Sequence, residues 1–417
     1  MPDRKLNILV VTQYFWPENM RINDLVRDFS EKGHNVTVLT GLPNYPEGSV
    51  YSSYRAAPEK FADYAGAKVV RVPLVPRGKH SISLMLNYAS FFISASLLGP
   101  WKLRSERYDA VFVYAVSPVM AAIPALVLGR IKRAPVFIWV LDLWPETLRA
   151  VGVVCNPIVL KAVGRMVSWI YNRADYLLLQ SHGFLENVKG YCTKRIALDR
   201  LVYFPSWAED DFSGTAQPTS ALLDRDDSVF TVLFAGNLGE AQDFPAIIEA
   251  ARALAGTVSV RWVIVGDGRM SEWLANEVRT RDMGNVLLLG RHPLEAMPCL
   301  FACADALLVS LRTNDVFEKT IPGKVQAYLA SGKPILGMIN GEAARVIEAA
   351  GAGLCCPSGD ATALAEITMK LAVLDGEQRK EMGASGRRYY LENYSKVTLL
   401  TRLETLFREA TLRKEQQ

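Results

Sequence analysis

Short apolar runs recur along nearly the whole chain, each followed by a stretch of helical periodicity. The first series of candidate strands is 7–14 (NILVVTQY), 35–40 (NVTVLT), 68–75 (KVVRVPLV), 109–116 (DAVFVYAV), 135–141 (PVFIWVL) and 176–181 (YLLLQS), closed by 201–205 (LVYFP). Runs this uniformly apolar predict strands covered on both faces, as in parallel sheets packed between helices. Residues 206–228 are polar and acidic, carry Gly and Pro, and read as a linker. A second series then starts: 230–236 (FTVLFAG), 259–266 (SVRWVIVG), 285–290 (NVLLLG), 305–311 (DALLVSL) and 334–339 (PILGMI). The pattern predicts an α/β protein of two Rossmann-like domains, 1–205 and 229–385, each a doubly wound parallel sheet. Ligands in such sheets sit beyond the C-terminal strand ends, so a cleft between the two halves is the expected active site. The charged helical tail, 386–417, is expected to cross back onto the first half.

One segment departs from this pattern. Residues 82–101 (ISLMLNYASFFISASLLGPW) hold no charge, and Arg77, Lys79, Lys102, Arg104 and Arg107 flank them. As a helix the run matches a bilayer core in length. Ser83, Asn87, Ser90 and Ser94 nevertheless share one helical face. Three readings stand open: a buried helix, an interfacial helix with its basic flank (82–104) on anionic lipid, and a membrane span.

Composition narrows the function classes. Half of the 417 residues are hydrophobic and 22% are charged, which excludes a disordered chain. A net charge of +4 is too mild and dispersed for a nucleic-acid protein. The six cysteines and four histidines form no zinc-type spacing, and the cysteines read as free thiols of a reducing compartment. The N-terminal run is too short for a signal peptide, so a cytoplasmic protein is expected.

Four stretches carry candidate chemistry. In 235–243 (AGNLGEAQD), Gly236 and Gly239 follow a strand and precede a helix, where backbone N–H groups can approach a phosphate; a plain tight turn is the alternative. In 317–337, Pro322 and Gly323 open a helix bracketed by Glu318, Lys319 and Lys324. A lysine one turn in can reach a pyrophosphate, and a glutamate can accept from sugar hydroxyls; solvated charge is the alternative. In 140–147 (VLDLWPET), Asp142 and Glu146 stand at a strand end, where Asp142 either holds a sugar hydroxyl or caps a helix. The 13–19 loop carrying Trp16 and Glu18, with Asn23 beyond it and the 41–46 loop carrying Tyr45, sets aromatic and polar groups where a sugar ring can stack; plain packing is the alternative.

Taken together, TQYFWPE, GLPNYP, WVLDLWPE, Ser181–Phe184, AGNLGEAQ, Val265–Gly268 and PGK…YLASGKPIL resemble the retaining GT-B glycosyltransferases of the group 1, GT4 type. Among these the chain is most similar to bacterial polysaccharide-assembly enzymes of the L-fucosamine (FucNAc) transferase group. The resemblance spans residues 7 to about 400. It implies a C-terminal half that binds a nucleotide-diphosphate sugar through Gly236, Asn237, Gly239, Gln242, Gly266, Arg291, Lys319, Pro322 and Gly323. Asp142, Lys324 and Glu318 are its catalytic candidates. Its N-terminal half would bind the acceptor through Trp16, Glu18, Asn23, Tyr45 and Glu146. No metal and no cofactor are expected. Asp224 and Asp226 fall in the linker and are not read as a metal motif. The implied donor is UDP-linked and the implied acceptor is a polyprenyl-diphosphate-linked glycan. The setting would be O-antigen, capsule or exopolysaccharide synthesis, including lipopolysaccharide, at the inner face of the plasma membrane.

The chain departs from that family pattern at several positions. Neutral Asn237 and Gln242 stand where the family carries Arg and Lys on the diphosphate, which makes Lys324, with Lys319 or Arg291, the expected source of charge. Lys319 and Ala327 stand where the family has paired glutamates, while Glu318 and Gln326 lie one position away. Another hexosyl or N-acetylhexosaminyl transferase, a UDP-sugar 2-epimerase (disfavoured by the sparse histidines) and a non-catalytic nucleotide-sugar-binding subunit are the competing readings. Leu141 replaces a family histidine near the sugar's 6-position and suits a 6-deoxy sugar, by ~1–3 kcal/mol for one buried methyl. Leu141→His is therefore expected to shift preference toward 6-hydroxy donors in a competition assay; unchanged preference defeats the assignment.

Overall fold

The computed structural model describes residues 4–78, 81–150, 152, 154–193, 198–209, 212, 223–224, 226, 228–256 and 259–416. The chain forms two units, Met1–Phe204 with Leu400–Gln417, and Pro205–Leu399. The sequence reading of two Rossmann-like α/β domains holds.

The first unit contains β1 (Asn7–Val11), β2 (Asn35–Thr40), β3 (Asp63–Tyr64), β4 (Ala67–Arg71), β5 (Ala110–Ala115), β6 (Val136–Val140), β7 (Tyr176–Leu179) and β8 (Leu201–Tyr203). They form one sheet in the order β3-β4-β2-β1-β5-β6-β7-β8. Its pairs are parallel except β3–β4, a hairpin whose turn residues Ala65 and Gly66 both have positive φ (51° and 83°), as a type I′ turn needs. The helices are α1 (Arg21–Glu31), α2 (Ser52–Ala56), α3 (Ser81–Lys102), α4 (Ile123–Lys132), α5 (Glu146–Ala150), α6 (Pro157–Tyr171) and α7 (Leu185–Tyr191). Alternation along the strands divides the core in two. Leu9, Val11, Val111, Val113, Val136 and Ile138 pack under α3, α4 and α6, through Phe91, Ala125, Val167 and Ile170 among others.

The second unit contains β9 (Phe230–Ala235), β10 (Val260–Val265), β11 (Val286–Gly290), β12 (Ala306–Ser310), β13 (Ile335–Met338) and β14 (Gly353–Cys356), all parallel in the order β11-β10-β9-β12-β13-β14. Its helices are α8 (Phe244–Ala253), α9 (Ser271–Thr280), α10 (Met297–Cys303), α11 (Gly323–Ser331), α12 (Glu342–Ala349), α13 (Ala361–Ala372) and α14 (Gly376–Asn393); α15 (Lys396–Glu415) ends the chain. Glycine lets α14 approach α11 closely: a Cβ on Gly383 would lie 2.0 Å from the Gly332 carbonyl oxygen.

Three details differ from the sequence reading. Strands β3 and β14 were not anticipated: β3 is two residues long, and Gly353-Leu-Cys-Cys lacks β-branched residues. Most of 206–228 lies outside the described residues, as do Lys79 and His80. Of that segment, Ala208, Phe212 and Leu223 are buried in the second unit's core, with Phe212 stacked on Phe301 at 5.3 Å. The stretch therefore includes core anchors as well as polar linker. Among the described residues no helix is long and apolar enough to cross a membrane, which removes the span reading of 82–101.

From Leu400 onward α15 belongs to the first unit. Phe407 is fully buried against Phe29, Phe112 and Phe137, with ring centroids 5.9, 6.0 and 4.7 Å away. Thr411 Oγ1 donates to the Asp109 carbonyl (2.8 Å), and Lys414 Nζ lies 3.1 Å from Asp175 Oδ2. Phe407→Ala is expected to destabilise the first unit by roughly 3–5 kcal/mol, read as earlier thermal unfolding.

Candidate active site

In each sheet the strand order reverses once, between β1 and β5 and between β9 and β12. Loops leaving those strands at their C-terminal ends diverge there and make the usual ligand position of a doubly wound sheet.

In the second unit, the loop after β9 carries Gly236, Asn237, Gly239 and Gln242. Gly236 and Gly266 both have positive φ, 136° and 140°. A Cβ on Gly266 would lie 1.8 Å from the Gly236 carbonyl oxygen, and one on Gly236 would lie 2.5 Å from Lys324 Cε. Only glycine fits either place. Two stretches far apart in sequence thus converge: Lys324, in the first turn of α11, lies against the Gly236 backbone. Its Nζ sits 3.6 Å from the centroid of the Phe234 ring. Lys324 is half-buried by surface area, but its ammonium has left bulk water, and burial pushes its pKa down to about 7.

Pro322 is the N-cap of α11 rather than its first helical residue, and Gly332 in the left-handed region ends the helix. A Cβ on Gly323 would meet nothing within 4 Å, so the helix N-terminus opens into free space. Glu318 accepts from Asn340 Nδ2 (3.3 Å), which also donates to Thr313 Oγ1 (3.2 Å). Lys319 follows at the end of the same 3-10 turn. Gln242 turns inward: its Oε1 accepts from Gly239 N (3.0 Å), so its carbonyl serves the loop. Asn237 is exposed. Arg291 is exposed just beyond β11. Gln326 is fully buried, and neither of its amide atoms has a hydrogen-bond partner among the described residues.

In the first unit, Asp142 Oδ2 accepts from Ser117 N (3.0 Å) and Ser117 Oγ (2.7 Å), and Ser117 Oγ also accepts from Trp144 Nε1 (3.0 Å). This is a loop-to-loop bond between the ends of β5 and β6, not a helix cap.

Glu18, read as an acceptor contact, is instead buried, and both its oxygens are occupied. Oε1 accepts from Asn44 N and Tyr45 N (2.7 Å each), and Oε2 from Phe15 N (2.9 Å). Burial raises its pKa, opposed by those N–H groups. Asn23 is likewise turned inward, accepting from Trp16 N (3.2 Å) and donating to the Glu18 carbonyl (2.8 Å). Both residues shape the loops after β1 and β2. Trp16 packs on Phe61 and Tyr64, and Tyr45 lies between Tyr14 and the Arg77 guanidinium. Glu146 accepts from Tyr191 OH (2.8 Å) and is held by α7. Ser117, Phe234, Asn340 and Asn87 carry the geometry and were missed as site residues, for none belongs to a charged or glycine-rich motif.

Residues 19–205 match the family model for the glycosyl transferase 4-like domain, and 229–372 match that for glycosyl transferases group 1. The chain thus carries a glycosyl transferase 4-like domain followed by a group 1 glycosyltransferase domain. This glycosyltransferase is 25% identical over 344 residues (78% of its length, 82% of the relative's) to the "Putative colanic acid biosynthesis glycosyl transferase WcaI" of Escherichia coli (strain K12). Its fold is similar to that of Anabaena Alr3699/HepE, solved in complex with UDP and glucose, with a TM-score of 0.64 at 16% identity over 96% of this chain and 99% of that one. It is also similar to WaaG, a glycosyltransferase involved in lipopolysaccharide biosynthesis, with a TM-score of 0.63 at 14% identity and the same coverages.

The Lys324 environment sets a pH dependence. Its pKa is about 7 folded and ordinarily 10.5, so between those values the unfolded chain binds more protons and stability rises with pH. Lys324→Met is expected to raise the unfolding temperature of the ligand-free glycosyltransferase below pH 7, with the gap narrowing toward pH 10, in thermal scans at several pH values.

Proposed function

We propose that this glycosyltransferase transfers a 6-deoxy-N-acetylhexosamine, such as L-FucNAc, from a UDP-linked donor to a lipid-linked oligosaccharide during surface-polysaccharide assembly. The single observation that carries the reading is Lys324: a cation at the N-terminus of α11, pressed on the Gly236 backbone beside the β9–β12 switch point. An anion there meets a charge, a helix N-terminus and backbone amides. Binding a diphosphate returns the proton that burial disfavours, so the charge appears where it is used. Two solved or curated relatives support the substrate classes, HepE by its UDP and glucose and WcaI by its colanic acid description.

The acceptor hydroxyl attacks the anomeric carbon on the face the diphosphate leaves. The new C–O bond forms as the bond to the β-phosphate oxygen breaks, the proton passes to that oxygen, and configuration is retained. Lys324 and the α11 N-terminus stabilise the departing charge without a metal. Asp142, oriented by Ser117, holds an acceptor hydroxyl.

The enzyme works at the cytoplasmic face of the plasma membrane, on anionic lipid. Helices α3, α4 and α6 lie on one sheet face and contain no Asp or Glu, whereas α1 on the opposite face carries three acids. Met85, Leu97 and Trp101 of α3 are 68%, 71% and 62% exposed, and Ile158 of α6 is 78% exposed. Arg104 and Arg173 lie over the Trp101 and Trp169 rings. Apolar residues rimmed by cations, with no acid among them, suit an anionic bilayer surface.

UDP is expected to raise the unfolding temperature selectively over GDP and TDP, and equally in EDTA. Lys324→Ala is expected to weaken UDP binding ~10–100-fold by calorimetry, the worth of one charge-assisted contact. A flat nucleotide panel from folded protein overturns the reading.

A further inference from the structure

Helix α3 has two faces of opposite use. Its outer side presents Met85, Leu86, Ile93, Leu97 and Trp101 to solvent, while Asn87, Phe91 and Ala95, spaced by four, are fully buried. A buried asparagine amid Phe and Ala needs partners for every polar atom. Asn87 finds them all in loops rather than in its own helix. Its Oδ1 accepts from Gln13 Nε2 (2.6 Å) and Tyr14 OH (3.1 Å), in the loop after β1. Its Nδ2 donates to Val75 O (2.6 Å), beyond β4, and to Asn44 Oδ1 (3.3 Å), beyond β2.

The network continues one step further. Asn44 Oδ1 also accepts from Arg77 N (2.9 Å), and Asn44 N is one of the three amides that hold the Glu18 carboxylate. One side chain therefore joins the lipid-side helix to the loops that carry Trp16, Glu18 and Tyr45. Hydrogen bonds weaken as they lengthen and bend, so an axial shift or rotation of α3 either carries those loops along or leaves buried amides unpaired.

We propose that Asn87 is a positioning residue that transmits the seating of α3 on a lipid surface to the loops after β1 and β2, so that these loops take up their ordered form when the helix is docked. The inference rests on the lipid-contact reading of the outer face of α3. It assigns the inner face a task that packing alone does not require, because an apolar residue of similar size would fill the same space.

The test uses the full chain with vesicles of phosphatidylcholine alone or mixed with phosphatidylglycerol. Co-sedimentation reports docking, and amide hydrogen exchange at Phe15, Trp16, Asn44 and Tyr45 reports the loops. The wild type is expected to sediment with the mixed vesicles and to exchange these amides about tenfold more slowly when docked. Asn87→Leu is expected to sediment equally well while its exchange rates change less than about twofold on docking. Tyr14→Phe, which removes one of the four bonds to Asn87 together with a long contact from Arg77 Nη1 (3.4 Å) and keeps the ring, is expected to fall between the two, and serves if Asn87→Leu does not fold. Leu97→Ser with Trp101→Ser is expected to abolish both readouts. A wild type that sediments without any change in loop exchange overturns the coupling while leaving the lipid contact standing. So does Asn87→Leu, or Tyr14→Phe in its place, with the full wild-type response. A wild type that does not sediment overturns the lipid contact and the coupling together.

Discussion

Parallel strands cannot be joined by tight turns. Each must be followed by a crossover that returns the chain to the starting edge, and this constraint organises everything else in the molecule. It makes the strands uniformly apolar, because helices cover both faces. It also sends every functional loop out of one edge of each sheet, where β1 parts from β5 and β9 parts from β12. Asp142, Glu18, Gly236 and Glu318 all occur just past a strand end for that reason. The chemistry of the protein is carried by a few short loops whose shapes are set by the sheet beneath them.

Charge is used sparingly at the donor side. The loop after β9 carries no cation, and its Gln242 amide is directed at its own backbone. The cation arrives instead from a helix, sunk against an aromatic face where burial works against its charge. A buried cation is held in place by its surroundings, so little reorganisation remains when an anion arrives; a flexible surface lysine would have to be ordered first. The acceptor loops follow the opposite principle. There a carboxylate is surrounded by backbone N–H groups and serves as a internal brace, with Arg71 donating to the Gly41 and Trp16 carbonyls from the other side.

The fold was largely legible because period and punctuation are local properties. Runs such as 135–141 could be nothing but covered strands, and only their ends were overestimated: Thr12, Gln13 and Tyr14 leave the sheet after Val11 because they build the loop. The site was legible residue by residue but not as an arrangement. Gly236 and Lys324 stood out separately, and nothing in the sequence measured the distance between them. Glu18 was misread for a deeper reason. Its partners are main-chain amides of Phe15, Asn44 and Tyr45, and an amide N–H has no letter of its own. Asn87 was noted only as one member of a polar stripe on α3. That the stripe faces inward and the apolar side outward follows from what the helix packs against, which a single helical pattern does not contain.

The return of the chain at Leu400 also bears on how the protein is made. The first unit is begun by residues made before the second unit and completed by residues made after it, with the second unit inserted between them. Until α15 emerges, the Phe29, Phe112 and Phe137 surface that Phe407 covers is open to water. Throughout synthesis of the second unit the nascent chain therefore carries an unfinished domain with an open aromatic surface. A premature stop that spares every residue of both sheets would still yield a first unit without its lid.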